Sequence, residues 1–145
     1  MSQGAKKKIL LNAFNMNCIG HINHGLWTHP QDTSTHYNTL EYWTELAQLL
    51  ERGLFDGLFL ADIVGVYDVY QHSVAVPLKE AIQLPVNDPL LLVSAMAAVT
   101  RHLGFGLTAN LTYEPPYLFA RRMSSLDHLS RGRVGWNIVT GYLDS

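Results

Sequence analysis

Residues 54–70 read LFDGLFLADIVGVYDVY. Within them Leu58, Phe59 and Leu60 form an apolar run too short for a helix, with Gly53 and Gly57 before it and Asp62 just beyond it. Such a run predicts a strand buried on both faces, as in a parallel sheet. Asp62 then follows the C-terminal end of that strand, where α/β folds place ligand-binding groups. A carboxylate held there by a rigid strand is the functional reading. An Asp that merely caps the next turn is the plainer one.

Working outward from this strand, the chain alternates. Ile9 to Phe14 (ILLNAF) is a short apolar run and predicts a first strand. The stretch that follows holds His21, His24, His29 and His36, and predicts a long loop, a class that is usually functional. Asn38 with Glu41 predicts a capping-box start, and Leu40, Trp43, Leu46, Ala47 and Leu50 recur at helical spacing until Gly53. Beyond Asp62 lies a second long connection, Ile63 to Val86, containing Tyr67, Tyr70, His72 and Gln83. Asn87 or Asp88 as cap with Pro89 at the first helical position opens LLLVSAMAAVTRH, apolar almost all round. Gly104 to Asn110 is a third strand, Pro115-Pro116 opens a helix through Leu129, and Arg133 to Val139 is a fourth strand. Strands alternating with helices imply a parallel sheet. Two α/β architectures fit: a small doubly wound sheet, or the N-terminal half of a (β/α)₈ barrel. A full barrel takes roughly 200 residues or more, beyond the 145 here.

The balance of residues removes several function classes. At 48% hydrophobic and 15% charged the chain is globular and long enough for one core. A net charge of −2 offers no electrostatic case for nucleic acid or anionic membrane, and Lys6 to Lys8 read as a solvated tail. No signal-peptide h-region and no apolar run of spanning length are present, and Cys18 is the single cysteine. A reducing, cytoplasmic setting is the expectation.

Candidate chemistry gathers at the strand ends. The four loop histidines lack a metal-protease pattern, so no metal site is expected. Cys18 could serve as a nucleophile beside a His, but reads first as a small buried hydrophobe. No nucleophile elbow, P-loop or dinucleotide fingerprint is present; Gly104-x-Gly106 lies inside a strand. What remains is a ring of groups: Asn15 to His21, Asp62 to Tyr67, Thr108 and Asn110, and Asn137 to Tyr142. Neutral or weakly acidic, and interleaved with Trp27, Tyr67, Tyr113 and Trp136, they suit a flat, hydrogen-bonding aromatic ligand.

Four segments in order, LNAFNMNCIGHINHGLW, YWTELAQLLERGLFDGLFLADIVGVYDVY, PVNDPLLLVSAMAAVTRHLGFGLTAN and TYEPPYLFARRMSSLDHLSRGRVGWNIVT, strongly resemble one family. It is the bacterial-luciferase-like, flavin-dependent monooxygenases, in the branch of the nitrilotriacetate and dibenzothiophene-sulfone enzymes, near those acting on dimethyl sulfide and long-chain alkanes. The resemblance implies an α/β chain forming about four β/α units, the N-terminal part of a single (β/α)₈ TIM-barrel domain spanning residues 1–145. It implies a two-component monooxygenase: a separate NAD(P)H:FMN reductase supplies FMNH2, and O2 forms a flavin C4a-(hydro)peroxide that oxygenates a small organic substrate. Carried over by position, Asp62, Thr108, Asn110, Asn137 and Thr140 match flavin-contacting sites, with Asn110 standing where relatives often have Ser. Cys18, His21, Tyr67, Gln83 and Asn87 match positions around the substrate, with His21 and Tyr67 as hydrogen-bond donors. Tyr142 stands where alkane-oxidising relatives carry His, which favours an organosulfur substrate over an alkane. A homo-oligomer is also implied. A non-catalytic half barrel that binds flavin or pairs with a homologue is the alternative.

Overall fold

The computed structural model describes residues 8–22, 25–141 and 143. Four strands, β1 (Asn12–Met16), β2 (Gly57–Ala61), β3 (Gly104–Asn110) and β4 (Val134–Val139), form one sheet in the order β1-β2-β3-β4. Every neighbouring pair is parallel. Between them run α1 (Leu40–Arg52), α2 (Ala75–Glu80), α3 (Leu90–Ala98) and α4 (Pro116–Ser130). This is the alternating α/β arrangement that the sequence implies.

Local physics sets the element ends. The α1 stripe buries Trp43, Ala47 and Leu50, and the indole N–H of Trp43 donates to the Tyr37 carbonyl at 2.6 Å. Its cap is Thr39, whose side chain accepts from the Tyr42 N–H, rather than Asn38. Thr39 has the extended backbone a cap requires, which shifts the start by one residue. The helix closes past Gly53 with Phe55 N–H on the Leu50 carbonyl and Leu54 N–H on that of Glu51. The left-handed position is therefore Leu54 (φ 60°), not Gly53. At α3, Asp88 Oδ1 accepts the Leu90 N–H at 2.8 Å, with Pro89 already in helical geometry.

Three expectations shift. The first strand pairs over Asn12–Met16 rather than Ile9–Phe14, because Asn12 to Met16 are the residues in register with Gly57 to Ala61. The long loop after it carries 3₁₀ turns at Leu26–Thr28 and Ser34–His36. The second connection contains α2 and a further 3₁₀ turn, Tyr70–His72.

One face of the sheet is packed. Leu58, Leu60, Phe105 and Leu107 join Trp43, Leu50, Val93, Met96, Leu103 and Leu126 in a single core under the helices. Fully burying each such side chain contributes about 1.5–3 kcal/mol, which orders the face. The other face carries Phe14, Phe59, Gly106 and Gly135 in one row of the register. There Phe14 is 51% exposed, and a Cβ on Gly135 would meet nothing within 4 Å. The described residues thus cover the helix side alone, whereas the apolar run at Leu58 predicts burial on both.

Two polar anchors fix the N-terminal ends of the strands. Glu51 Oε1 accepts the N–H groups of Arg101, His102 and Leu103 at 2.8, 2.5 and 3.0 Å, tying α1 to the turn before β3. Those bonds, His102 first, hold its carboxyl below the usual range. Arg133 donates to the carbonyls of Ala97, Thr100, Leu103 and Ser130 and to the Thr100 hydroxyl, and lies 5.5 Å from the Phe105 ring centroid.

Candidate functional site

With the strands anchored below, their C-terminal ends open upward into a cleft of about 510 Å³. Asp62 to Val66 follow β2, Leu84, Pro85, Val86 and Asp88 precede α3, Thr108 to Asn110 end β3, Glu114 precedes α4, and Phe119 and Arg122 lie in its first half. The walls are apolar (Ile63, Val66, Leu84, Phe119) and the polar groups are few and convergent, the usual character of a small-molecule site. Arg122 is the one cation among these residues and is ion-paired with Glu114.

Of the residues singled out from sequence, Asp62, Thr108 and Asn110 line the cleft directly. Burial pushes the Asp62 carboxyl up to about 6; the Ile63 backbone N–H opposes this and the nearby Asp88 carboxylate adds to it. Asn137 stands one strand over and donates its side-chain amide to the Thr108 hydroxyl at 3.1 Å. Asn110 Oδ1 accepts the Thr112 N–H, and the Thr112 hydroxyl donates to the Thr140 carbonyl, so the β3 and β4 ends are tied together. Gly141, at φ 75°, passes so close to the Asn110 amide that a Cβ there would collide with it.

A second group adjoins the first. The segment after β1 is bonded to residues 83–88: the Gln83 N–H donates to the Ile19 carbonyl at 3.0 Å and the Asn87 N–H to that of Asn17 at 2.9 Å. Gln83 Nε2 lies 2.9 Å from His21 Nδ1, and the His21 ring stacks on Phe14 with centroids 5.6 Å apart. Cys18 is buried, and desolvation pushes its thiol up to about 11, against a hydrogen bond from the His21 backbone. The sulfur is therefore a neutral thiol at pH 7, the small buried hydrophobe of the plainer reading. Desolvation lowers the His21 pKa, which favours its neutral ring. Tyr67 is half-buried in the connection after β2. Tyr142 and His24 lie outside the described residues.

Asp88, Glu114, Phe119 and Arg122 line the cleft without a site signal in the sequence. Asp88 carries a cap signal, and the others lie just before α4 or in its first half, whose facing depends on how that helix docks. Among the described residues no group of three or more His, Cys, Asp or Glu is placed to hold a metal ion, and no helix is long and apolar enough to cross a membrane.

Residues 22–144 match the profile of the luciferase-like monooxygenases. The chain belongs to that family. Within it, the chain is 63% identical over 139 residues to a long-chain alkane monooxygenase of Geobacillus thermodenitrificans, covering 96% of this chain and 32% of that one. A crystal structure of long-chain alkane monooxygenase superposes with a TM-score of 0.93, covering 97% of this chain and 32% of that one. The dimethyl-sulfide monooxygenase of Hyphomicrobium sulfonivorans is 59% identical over 140 residues, 97% of this chain and 29% of the relative. A riboflavin lyase solved with modified FMN and riboflavin is 38% identical with a TM-score of 0.85, covering 93% of this chain and 30% of that one. The chain thus spans about a third of the length of the luciferase-like relatives it matches. Their likeness places its four-stranded parallel sheet and helices in the luciferase-like fold.

Proposed function

We propose that these residues are the N-terminal part of a luciferase-like (β/α)₈ barrel whose complete polypeptide is a monooxygenase. It uses reduced FMN and O2 to oxygenate a small organic substrate, an organosulfur compound before an alkane. The observation that carries this reading is the cleft at the C-terminal strand ends, with Asp62, Thr108 and Asn110 converging between apolar walls. The uncovered sheet face with Phe14 and Phe59, and the greater length of the relatives, support a barrel continued by further strands.

The residues fit a flavin in kind. A flat ring with donors and acceptors along one edge suits a slot walled by Ile63, Leu84 and Phe119 and edged by an acid, a hydroxyl and an amide. Bound reduced FMN supplies the electrons with which O2 is activated. In this reading Asp62, Thr108 and Asn110 contact the ring, and Asn137 orients the Thr108 hydroxyl. Thr140 and Gly141 set the position of Asn110. His21 and Tyr67 donate hydrogen bonds to the reacting oxygen, while Cys18, Gln83 and Asn87 shape the substrate side. The apolar walls exclude water, which the oxygenation requires. Arg122 is held by Glu114, so it is a poor anchor for a dianionic phosphate, and that group is assigned to later strands. Tyr142, which the resemblance sets where alkane-oxidising relatives carry His, supports the preference for sulfur.

A separate NAD(P)H:FMN reductase is the partner that delivers the reduced flavin, and the free Cys18 thiol suits the cytoplasm. Leu91 and Leu129 on the outer side of α3 and α4 are 70% and 69% exposed, which supports a homo-oligomer. The test is oxygenation by the complete polypeptide with a flavin reductase, NADH and ¹⁸O2, offering dimethyl sulfide, a sulfone and an alkane in parallel. Label in an oxidised sulfur product, dependent on FMN, is the expected result. Label in none of the products, with the reductase turning over, overturns the reading.

A further inference from the structure

We propose that Gln83 is a positioning residue that sets the tautomer of His21, donating from its side-chain amide to Nδ1 so that the ring keeps its proton on Nε2. The geometry is specific. Gln83 Nε2 stands 2.9 Å from His21 Nδ1. An amide nitrogen only donates, so the ring nitrogen facing it accepts and is unprotonated. A neutral imidazole has one proton, which then resides on Nε2. Desolvation favours the neutral ring, and the Phe14 stack at 26° fixes its plane, with Phe14 itself stacked on Phe59 at 5.6 Å.

Gln83 is itself held in an unusual conformation. Its φ is 56°, in the left-handed region that non-glycine residues rarely occupy. The Ile19 and Asn17 carbonyls clamp the segment on either side by accepting from Gln83 and Asn87. Backbone strain kept in place by such clamps is a feature of functional sites. Here it aims one side chain at one ring nitrogen across 62 residues of sequence. The consequence rests on the monooxygenase reading: His21 is a hydrogen-bond donor through Nε2 and not a proton-abstracting base, and Gln83 shapes the substrate side through that ring.

The test is ¹⁵N NMR of the complete polypeptide labelled at histidine nitrogens, at a pH where His21 is neutral, with His21→Gln used to assign the signals. The expected wild-type pattern is an unprotonated Nδ1 and a protonated Nε2. Gln83→Glu replaces the donor with an acceptor, so the proton should move to Nδ1 or the ring should charge. Turnover with reduced FMN is expected to fall about 100-fold in that variant, the lower range for a misplaced proton donor. Gln83→Leu tests the same bond without adding charge and should relax the wild-type tautomer toward a mixture. A wild-type ring protonated on Nδ1, or an unchanged nitrogen pattern in Gln83→Glu, overturns the proposal whatever the activity. Absence of any oxygenase activity with the expected nitrogen pattern overturns the function and leaves the tautomer assignment standing.

Discussion

Asp62 is the residue at which the strand-end cleft meets its electrostatics. Its folded pKa, about 6, lies above the ordinary 3.8, so the folded chain binds this proton more tightly than the unfolded one. The favourable contribution is present below pH 4, declines as the pH rises through 6, and is gone above it. Asp62→Asn should therefore stabilise the protein at pH 8 by roughly 1–2 kcal/mol and leave it unchanged near pH 3, read as urea midpoints at the two pH values. Equal shifts at both would show that the carboxyl is not desolvated. Leu54 gives a second residue-scale prediction. It occupies the left-handed closing position of α1 while 84% exposed, so its side chain adds strain with little burial. Leu54→Gly should raise the thermal midpoint, through a gain of about 0.5–1 kcal/mol; a lower midpoint would mean that the leucine is covered by something beyond the described residues.

At the scale of elements, the sheet is held at its lower rim by side chains that bridge different helices. Arg133 at the entrance to β4 reaches the last turn of α3 through Ala97, the turn after it through Thr100, and the end of α4 through Ser130. No apolar residue can satisfy those carbonyls. Arg133→Met should cost at least about 2 kcal/mol, seen as a lower urea midpoint. Arg133→Lys should recover only part of it, because an ammonium cannot spread donors in a fork. A midpoint within error of wild type in Arg133→Met would show that water replaces the guanidinium. The consequence reaches the site: β3 and β4 carry Thr108 and Asn137, whose 3.1 Å bond depends on the register that Arg133 protects.

For the molecule as a whole, the imbalance between the two sheet faces governs behaviour. The helix side is packed, while Phe14 on the opposite face and Ile138 on the β4 edge are 51% and 70% exposed. Open parallel edges and uncovered apolar rows promote association. The 145-residue chain by itself should therefore elute as oligomers or aggregates in size-exclusion chromatography with light scattering. A stable 16.3 kDa monomer would show that the exposed face is tolerated in water.

Sequence by itself determined the elements whose signals are local. The run at Leu58, the Asp88-Pro89 start, the Gly104–Asn110 strand and the Pro115-Pro116 start each declare themselves in a few residues, and their alternation implies a parallel sheet. It placed Asp62, Thr108 and Asn110 at strand ends for the same reason: a short strand-like run and its boundary suffice. Only the tertiary structure decided the rest. The shift of β1 to Asn12–Met16 is set by pairing with β2, a contact between residues 45 apart in sequence that no local pattern encodes. The bond from Gln83 to His21, the couplings of Asp88 to Asp62 and Asp62 to Cys18, and the docking of Phe119 and Arg122 onto the cleft depend on how elements pack. Strand and helix propensities are short-range free energies, whereas a site is a long-range coincidence bought with the packing of the whole core.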